Sequence, residues 1–570
     1  MLVCKVYTIS IANWGTTEDN KMAESKHICI GQTFCDRICF WGETEPDTPA
    51  FIFRSKNGRY VLSRGDVLDL SSRFAFRLTE LGVQPGDVVC IALPNCPERI
   101  IVDFGVHLAG AVTMNGQILR SDGQDIIESM CKSKCKILVA DPDQENGAWS
   151  ICKQRFQVVS DSKHASVIKS KDVPSLVHLA NCRTRKPESE FLTSLPSNTY
   201  ISRSRKSSDI ASIFATSGST GYSKLVQHTH KALLLIAHRS RAITGISGKE
   251  DVSFTTAPLG WIGGFPAYFL YSGSPTVMID DAVGGEADML RFVWNIICDE
   301  NVSFGGFASF QLIGILRRRD LWESAGKKLK KVLTGGQPLK KDCLEAIGHL
   351  TDSILNFYAS TEIGAMGVVY LNESSKHDFK ENMTGYPVQG VEIRVVDSEL
   401  NEVDGETRGE IIVRSETLTN GYIGDTGNMA SFLTDGWFRM DDVGYVDAKG
   451  LLSVEGRSSD AIMHGAYILY PTWLEEKLDK CPGVEQLFIV PVPDKVLHQE
   501  ICACVKRNDG SQSSEEDILN FAKAAIMVNI PSTMNVVPKY VVFFETFPVT
   551  KTLKLNRKEL AKLARERLQL

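Results

Sequence analysis

The 570-residue sequence lacks any apolar run long enough to form a membrane-spanning helix, so no transmembrane segment is predicted. It also lacks a long basic block, and a formal net charge of −6 gives no reason to expect a nucleic-acid partner. The first residues show no basic region followed by an apolar core, so a secretory signal peptide is not expected. Internal repeats and low-complexity tracts are missing as well.

The fifteen cysteines include no CxxC pair, which argues against a zinc-ribbon type of site. Cys35 and Cys39, like Cys131 and Cys135, are four residues apart, which is poor zinc spacing without nearby histidines. We therefore expect reduced thiols and a cytoplasmic location. The last three residues, 568–570, resemble a peroxisomal targeting signal only distantly, which makes a peroxisomal location the alternative.

What is present is typical of a globular protein, with 43% hydrophobic and 23% charged residues, and the length suits several domains. Helix-like and strand-like segments alternate over 60–140 and again over 209–370, which predicts an α/β fold with a largely parallel sheet. The polar segment 141–208 is predicted to form a peripheral lobe or long loops. Short strands after residue 390 predict a small antiparallel unit, followed by an α+β domain of about one hundred residues.

The stretch "ATSGSTGYSK" at 215–224 follows an apolar, strand-like run. Glycines let a backbone approach a phosphate closely, and the Ser, Thr and N–H groups donate to its oxygens while Lys224 adds positive charge. The Walker pattern is absent, because Lys224 stands three residues after Gly221 and is followed by Leu225. By itself the stretch fits either a phosphate-binding loop or a plain surface turn.

Six segments in order resemble the ANL superfamily of acyl-CoA synthetases, adenylation domains and beetle luciferases. They are "TSGSTGYSK", "GGQPL" at 335–339, "YASTE" at 358–362, "GWFRMDDVGYVD" at 436–447, "GRSSDAIMHGAYILYP" at 456–471 and "FPVTKTLKLNR" at 547–557. The resemblance extends from about residue 50 to the last residue and is strongest to stand-alone acyl-CoA or 4-coumarate–CoA-type ligases.

The resemblance implies a large N-terminal domain at 1–456, a hinge at 457–460 and a small mobile C-terminal α+β domain at 461–570. The large domain would contain stacked mixed sheets with flanking helices and a β-barrel-like subdomain. The implied reaction uses ATP, Mg²⁺ and coenzyme A: a carboxylate attacks the α-phosphorus of ATP, and a thiol then takes the acyl group. The expected partners are a small carboxylic acid and CoA, and a homodimer is compatible with this interpretation.

By resemblance, the loop over the β- and γ-phosphates comprises Thr216, Ser217, Gly218, Ser219, Thr220, Gly221 and Lys224. The adenine-side turn comprises Gly335, Gly336, Gln337 and Pro338. Tyr358 would stack on adenine, Thr361 would bond the α-phosphate, and Glu362 would ligate Mg²⁺. The structural alternative for the adenine-side segment is an ordinary turn, and the alternative for Tyr358 is a position in the core.

The resemblance assigns Asp442 and Arg457 to the ribose, because a carboxylate accepts from hydroxyls and a guanidinium donates to oxygens. Lys554 is the main catalytic candidate, since its ammonium would ease a carboxylate towards a phosphate. Without the resemblance, Lys554 would be read as a solvated lysine in a basic segment. Ser459 takes the hinge position, and Gly465 would help to line a channel for the pantetheine arm.

The acyl pocket is expected along 256–271, 304–310 and 333–337, with Trp261, Gly263, Phe307 and Gly335 among its residues. Segment 256–271 contains no Asp or Glu, which argues against an amino-acid substrate because a buried ammonium needs a partner. We therefore expect a lipophilic acid, either a fatty acid or an aryl-propenoic acid. Trp261 is equally compatible with a core position.

Four departures from the family pattern, Ser223, Asp441, Ser459 and Leu553, leave other functions open. One alternative is an adenylate-only enzyme or a luciferase-like oxygenase of the same fold. Another is a pseudoenzyme that binds nucleotide without turnover. The retained residues argue against the pseudoenzyme: Lys224, Thr361, Glu362, Asp442, Arg457 and Lys554.

Overall fold

A computed structural model of the chain describes residues 31–570 except 117–121, 146, 185–189, 217–223, 324–325, 381, 425–429, 465–466, 496, 527–535 and 551–553. These residues form two compact units. The first comprises the described residues up to Phe379 together with Gly385–Glu392 and Arg414–Gly436. The second comprises Lys380–Thr384, Ile393–Val413 and Trp437–Leu570. The predicted hinge at 457–460 lies within the second unit, and the predicted domain boundaries stay a prediction.

The strands of the first unit are β1 Pro49–Ser55, β2 Gly58–Ser63, β3 Val88–Ala92, β4 Val112–Asn115, β5 Ile137–Ala140, β6 Gln157–Asp161, β7 Ala165–Lys169, β8 His178–Asn181, β9 Ile210–Thr216, β10 Lys224–Thr229, β11 Ser253–Thr255, β12 Thr276–Ile279, β13 Phe304–Gly306, β14 Lys331–Gly335, β15 Ser353–Ser360, β16 Gly364–Asn372 and β17 Met383–Pro387, of which the last three residues belong here. Its helices are α1 Phe34–Thr44, α2 Arg64–Glu80, α3 Pro97–Leu108, α4 Gln124–Lys132, α5 Ala148–Arg155, α6 Glu190–Thr193, α7 His230–Thr244, α8 Ala267–Ser272, α9 Met289–Asp299, α10 Ser309–Arg317, α11 Arg319–Trp322 and α12 Ala346–His349. Short 3-10 helices lie at Lys341–Glu345, Lys376–Asp378 and Thr434–Gly436.

Two mixed sheets organise the first unit. One has the order β10-β9-β4-β3-β5-β8-β7-β6, and the other runs β17-β16-β15-β14-β13-β11-β12-β1-β2. The central strands of both pair in parallel, whereas the edges are antiparallel. One hydrophobic core contains residues of both sheets and of α1, α2, α3, α7 and α8, so the sheets share a helical layer. The predicted α/β class with stacked mixed sheets is confirmed.

The polar segment 141–208 extends a sheet instead of forming a separate lobe. Strand β8 pairs in parallel with β5, and β7 and β6 follow as antiparallel edge strands. Most β6 residues are exposed, which explains the polar composition that suggested long loops.

Helix α3 is buried along its whole length and carries charged residues on one face. Asp103 lies 3.7 Å from Arg99 and 3.3 Å from His107, each one helical turn away. Because a buried charge without a partner is costly, this i,i+4 arrangement explains how a charged helix occupies the core.

The strands of the second unit are β18 Val391–Val396, β19 Gly409–Ser415, β20 Trp437–Val446, β21 Leu452–Arg457, β22 Ile462–His464, β23 Tyr467–Leu469, β24 Val484–Asp494, β25 His498–Arg507 and β26 Tyr540–Phe543. The first two residues of β18 and the last two of β19 belong to the first unit. Its helices are α13 Pro471–Leu478, α14 Glu515–Ile526 and α15 Arg557–Leu568, with a 3-10 turn at Ser458–Asp460. Strands β18 to β21 are neighbours in that order, and the later strands form the order β23-β22-β25-β24 with β26 parallel to β25.

Alternating residues of β24 and β25 build two small cores in the second unit. Ile489, Ile501 and Ala503 belong to one core, whereas Val490 and Cys502 belong to the other. This period of two is what a strand requires when both of its faces are covered. The predicted C-terminal α+β domain is confirmed as a fold. Among all described helices, none combines the length and the apolar character needed to cross a membrane.

Candidate active site

The phosphate-loop candidate lies in a β hairpin of the first unit. Lys224 opens β10 and pairs with Thr216, the last residue of β9, so the hairpin register sets these two residues opposite each other. Lys224 Nζ lies 4.8 Å from the centre of the Tyr422 ring, within cation–π distance. The loop residues between the strands lie outside the described part of the chain: Ser217, Gly218, Ser219, Thr220 and Gly221, as well as Ser223.

Strand β15 delivers the next group of predicted residues. Tyr358 pairs with Gly367 and is half-buried, and Thr361 and Glu362 follow in the turn between β15 and β16. His228 of β10 holds this turn, because its Nε2 lies 2.7 Å from the Thr361 carbonyl oxygen. A carbonyl only accepts, so Nε2 carries the hydrogen. Burial lowers the pKa of His228, which favours this neutral donor.

Tyr422 is a site residue that sequence reasoning missed. Its hydroxyl donates to Glu362 Oε1 at 2.8 Å, and only 8% of the residue is exposed. The two residues are 60 positions apart in the sequence. No local pattern around Tyr422 signals this contact, because it depends on how the segment before it packs on β10.

The carboxylate of Glu362 fits a magnesium ligand. No described residue donates to its second oxygen, Oε2, while Oε1 accepts from Tyr422. The described residues contain no group of three His, Cys, Asp or Glu side chains that would enclose a metal. Mg²⁺ characteristically takes one or two carboxylates plus substrate phosphates and water, so one available hard oxygen suits it.

The predicted adenine-side turn follows β14. A Cβ atom on Gly335 would lie 2.6 Å from the Phe357 carbonyl oxygen of the neighbouring strand, so only glycine allows this approach. Gly336 has φ of +77°, a left-handed conformation that favours glycine. Gln337 is partly exposed and Pro338 is exposed, so this turn presents backbone at the end of a central parallel strand.

In the second unit, Asp442 and Arg457 pair in register across β20 and β21. Arg457 Nε donates to Asp442 Oδ1 at 2.8 Å. Asp442 is 5% exposed, whereas Arg457 is exposed. The two predicted ribose residues therefore form one polar group with an accessible guanidinium.

Asp441, which replaces the family's usual glycine, has φ of +59°. This left-handed conformation explains why glycine suits the position, and aspartate is one of the few other residues that adopt it readily. The Ser458 hydroxyl donates to the Asp441 carboxylate and lies 3.4 Å from its carbonyl oxygen. The substitution therefore keeps the backbone conformation and adds a tie to the segment after β21.

Lys554 lies next to Leu555, which pairs with Val549. The Thr550 N–H donates to the Lys554 carbonyl at 2.6 Å. Lys554 is exposed, but surrounding protein removes part of its hydration, and this desolvation is the main cause that lowers its pKa. Arg457 lowers the pKa further and Asp442 raises it, so Lys554 interacts electrostatically with both ribose candidates.

The predicted hinge residue Ser459 lies in the exposed 3-10 turn Ser458–Asp460. Next to it, Asp460 Oδ2 lies 3.8 Å from Arg557 Nε, and Arg557 also donates to Glu475 at 2.6 Å. The predicted channel residue Gly465 lies outside the described residues, as does Leu553.

The predicted acyl-pocket residues take different positions in the first unit. Trp261 is partly buried in a tight turn, where its backbone N–H donates to the Pro258 carbonyl at 2.9 Å. Gly263 is exposed with open space around it, and Phe307 is 5% exposed and packs on Phe254. The structure thus groups Phe307 with the core and leaves Trp261 and Gly263 near the surface.

Beside this turn, a cavity of about 150 Å³ is lined by Leu93, Pro94, Asn95, Arg99, Asn115, Gly116, Pro258, Gly260 and Asp281. Burial and the charge of Asp280 raise the pKa of Asp281 to about 6. Asp281 lies outside segment 256–271. The cavity therefore has a carboxylate in its lining although that segment contains no Asp or Glu. Arg99 lines the same cavity, and its nearest carboxylate is Asp103 at 3.7 Å.

Comparison with known proteins gives two family matches. The AMP-binding enzyme family matches residues 40–423, and the AMP-binding enzyme C-terminal domain matches residues 474–554. A probable CoA ligase of Humulus lupulus is 25% identical over 502 residues, covering 86% of each chain. A 4-coumarate–CoA ligase-like protein of Arabidopsis thaliana is 25% identical over 531 residues, covering 91% of each chain.

Solved structures show the same fold at low sequence identity. An anthranilate CoA ligase in complex with anthranoyl-AMP has a TM-score of 0.78 at 19% identity, covering 96% of this chain and 100% of its own. ATP-bound MatB from Rhodopseudomonas palustris has a TM-score of 0.77 at 19% identity, covering 94% and 100%.

Proposed function

The chain belongs to the AMP-binding enzyme family, and on that premise we propose that it is an AMP-forming acid–CoA ligase. It would activate a lipophilic carboxylic acid with Mg-ATP to an acyl-adenylate and pass the acyl group to the thiol of coenzyme A. Family membership rests on a match that covers residues 40–423 of the 570.

The observation that carries the proposal is the grouping of Asp442, Arg457 and Lys554 in one unit. Asp442 and Arg457 are joined at 2.8 Å, and Lys554 interacts with both. A carboxylate and a guanidinium suit ribose hydroxyls and oxygens, and a nearby ammonium suits the anions that react at the α-phosphate.

In the proposed first half-reaction, a substrate carboxylate oxygen bonds to the α-phosphorus of ATP and pyrophosphate leaves. Lys554 would offset the repulsion between the two anions: one charge at about 4 Å contributes about 4 kcal/mol at an effective dielectric near 20. Lys224 and Thr216 would hold the outer phosphates, with Thr361 at the α-phosphate. When bound, Mg²⁺ would neutralise phosphate charge, and Glu362 is the residue that would hold it.

In the proposed second half-reaction, the CoA thiol attacks the acyl carbonyl carbon. AMP then leaves and keeps the oxygen that had joined the acyl carbon to phosphorus. The hinge at Ser459 and the channel residue Gly465 belong to this part of the proposal. Serine suits a hinge because such a position only has to tolerate two backbone settings.

Two observations support the proposed substrate class. Segment 256–271 is apolar and aromatic, and it includes Trp261 beside the exposed Gly263. The similar proteins include 4-coumarate–CoA ligases of Petunia hybrida and Solanum tuberosum, and an anthranilate CoA ligase. An aryl acid or a fatty acid is therefore the proposed substrate.

ATP–pyrophosphate exchange with a panel of aryl, fatty and amino acids, with and without CoA, tests the proposal. We expect exchange with one lipophilic class and a CoA-dependent thioester of the same acid. Exchange without a thioester would indicate an adenylate-only enzyme. Nucleotide binding with no exchange for any acid would indicate a pseudoenzyme.

A further inference from the structure

Tyr422 occupies a position between two groups of opposite charge in the first unit. Its hydroxyl donates to Glu362 Oε1 at 2.8 Å, and its ring lies under Lys224, with Nζ 4.8 Å from the ring centre. One side chain therefore contacts both the cation and the carboxylate of the proposed phosphate site.

The backbone around Tyr422 is fixed to β10. Tyr422 forms an isolated antiparallel β-bridge with Val226, and the Ile423 N–H donates to the Leu225 carbonyl at 3.0 Å. The tyrosine therefore occupies a set position relative to Lys224, which begins the same strand.

The same segment is also tied to the turn that carries Glu362. The Thr419 N–H donates to the Glu362 carbonyl at 2.9 Å, and the Thr419 hydroxyl donates to the Gln227 carbonyl at 2.9 Å. The Thr417 hydroxyl donates to the Ile363 carbonyl at 2.7 Å. These bonds fix the backbone of the turn, while the Glu362 side chain accepts from the Tyr422 hydroxyl.

We propose that Tyr422 is a positioning residue that orients the Glu362 carboxylate for the metal of Mg-ATP and keeps it separate from Lys224. The inference rests on the proposed function, in which Glu362 holds Mg²⁺. With Oε1 engaged by the tyrosine hydroxyl, Oε2 is the oxygen left to the metal. The ring holds the ammonium by its face, so the cation stays available to phosphate instead of pairing with Glu362.

Substitution separates the contact of Tyr422 with Glu362 from its contact with Lys224. Tyr422→Phe keeps the ring under Lys224 and removes the hydroxyl that donates to Glu362. Tyr422→Leu removes both. Phenylalanine should therefore affect the metal-dependent part of nucleotide binding alone, and leucine should also weaken the binding of metal-free nucleotide.

The measurement is the affinity for a fluorescent N-methylanthraniloyl ATP, once with saturating Mg²⁺ and once in EDTA. The metal ratio is the dissociation constant in EDTA divided by that with Mg²⁺, and it measures how much the metal strengthens nucleotide binding. We expect Tyr422→Phe to reduce this ratio about tenfold, the usual size for the loss of a bond that supports a ligating group. Its affinity in EDTA should equal that of the wild type, whereas Tyr422→Leu should lose about threefold in EDTA as well.

Tyr271→Phe is the matched control. Tyr271 is 9% exposed, close to the 8% of Tyr422, and its hydroxyl lies 2.7 Å from His238 Nδ1. This variant loses an equally buried hydroxyl contact elsewhere in the same unit. It should keep the wild-type metal ratio, and its melting temperature reports what the loss of such a hydroxyl costs the fold.

Glu362→Gln separates failure of the inference from failure of the proposed metal site. If Glu362→Gln loses the metal ratio and Tyr422→Phe keeps it, the positioning role is overturned and the metal site stands. If Glu362→Gln keeps the ratio, the proposed metal role fails and the inference fails with it. In Tyr422→Phe/Glu362→Gln, the ratio should equal that of Glu362→Gln, and a further decrease would show that Tyr422 does not act through Glu362.

Discussion

Asp442 and Arg457 face each other across β20 and β21, with Arg457 Nε 2.8 Å from Asp442 Oδ1. The carboxylate is buried and the guanidinium is exposed, so the pair presents donors to solvent while its acceptor stays fixed. Lys554 interacts with both members, which makes the three residues one electrostatic group. A substitution of Asp442 or Arg457 should therefore change the pKa of Lys554.

Lys554→Ala should lower the rate of acyl-adenylate formation about 10²–10³-fold, the range seen when a transition-state donor is removed. Transfer from a supplied acyl-adenylate to CoA should suffer much less, because that step brings no second anion to the α-phosphate. Pyrophosphate exchange and thioester formation measure the two steps. Lys562→Ala on α15 is the control, since that lysine is exposed and paired with Glu559 at 3.4 Å. Equal loss in both steps would contradict the assigned role.

The alkaline limit of adenylate formation should move in opposite directions in two variants. Only the protonated Lys554 amine offsets negative charge, so activity should decline as pH rises through its pKa, which lies below that of an ordinary lysine. Arg457→Gln removes a cation that lowers this pKa, so the limit should move to higher pH. Asp442→Asn removes an anion that raises the pKa, so the limit should move to lower pH. Exchange rates between pH 7 and 11 measure both limits, and shifts of the same sign would contradict the electrostatic grouping.

The left-handed backbone at Asp441 predicts an ordered series of stabilities. Asp441→Gly should change the melting temperature little, because glycine adopts φ of +59° freely but loses the contact with Ser458. Asp441→Ala should cost about 1–2 kcal/mol, since alanine has neither the freedom of glycine nor the polar group of aspartate. Calorimetry of the purified variants measures the order. An alanine variant as stable as the glycine variant would contradict the strain argument.

His230 should make the first unit less stable in mild acid. Burial lowers the pKa of His230 from its usual 6.5 to about 3, with His107 and Arg205 adding repulsion. Its Nδ1 accepts from the Phe34 N–H at 3.3 Å, which only the neutral ring allows. Because the folded pKa lies below the unfolded one, the stabilisation is complete above pH 6.5 and decreases as pH falls towards 3. Between pH 6.5 and 5 the loss should be roughly 2 kcal/mol.

Melting temperatures at pH 7.5 and pH 5 check this prediction. His230→Gln should be less stable at pH 7.5 but should lose less on acidification than the wild type. His377→Gln removes an exposed histidine and should keep the wild-type acid response. An unchanged acid response in His230→Gln would show that other groups dominate.

Local sequence patterns predicted the alternation of helices and strands and several individual elements. Within the predicted alternation over 60–140, helix α2 ends at Glu80, and Gly82, two residues later, has φ of +79°. The strand-like run before the Gly- and Ser-rich loop is β9. These predictions succeeded because hydrophobic period and terminating residues act within a few positions of each other. Segment 141–208 was harder, because edge strands exposed to solvent lack the apolar pattern of central ones.

By itself, the sequence determined the family, the order of the motifs and the residue types available for nucleotide chemistry. The tertiary structure alone decided which of them meet: Tyr422 with Glu362, His228 with Thr361, and Asp442 with Arg457. The first two contacts join segments that lie far apart along the chain, and the third depends on the register of the neighbouring strands β20 and β21. Such packing follows from the burial of whole faces, which no local stretch of sequence encodes.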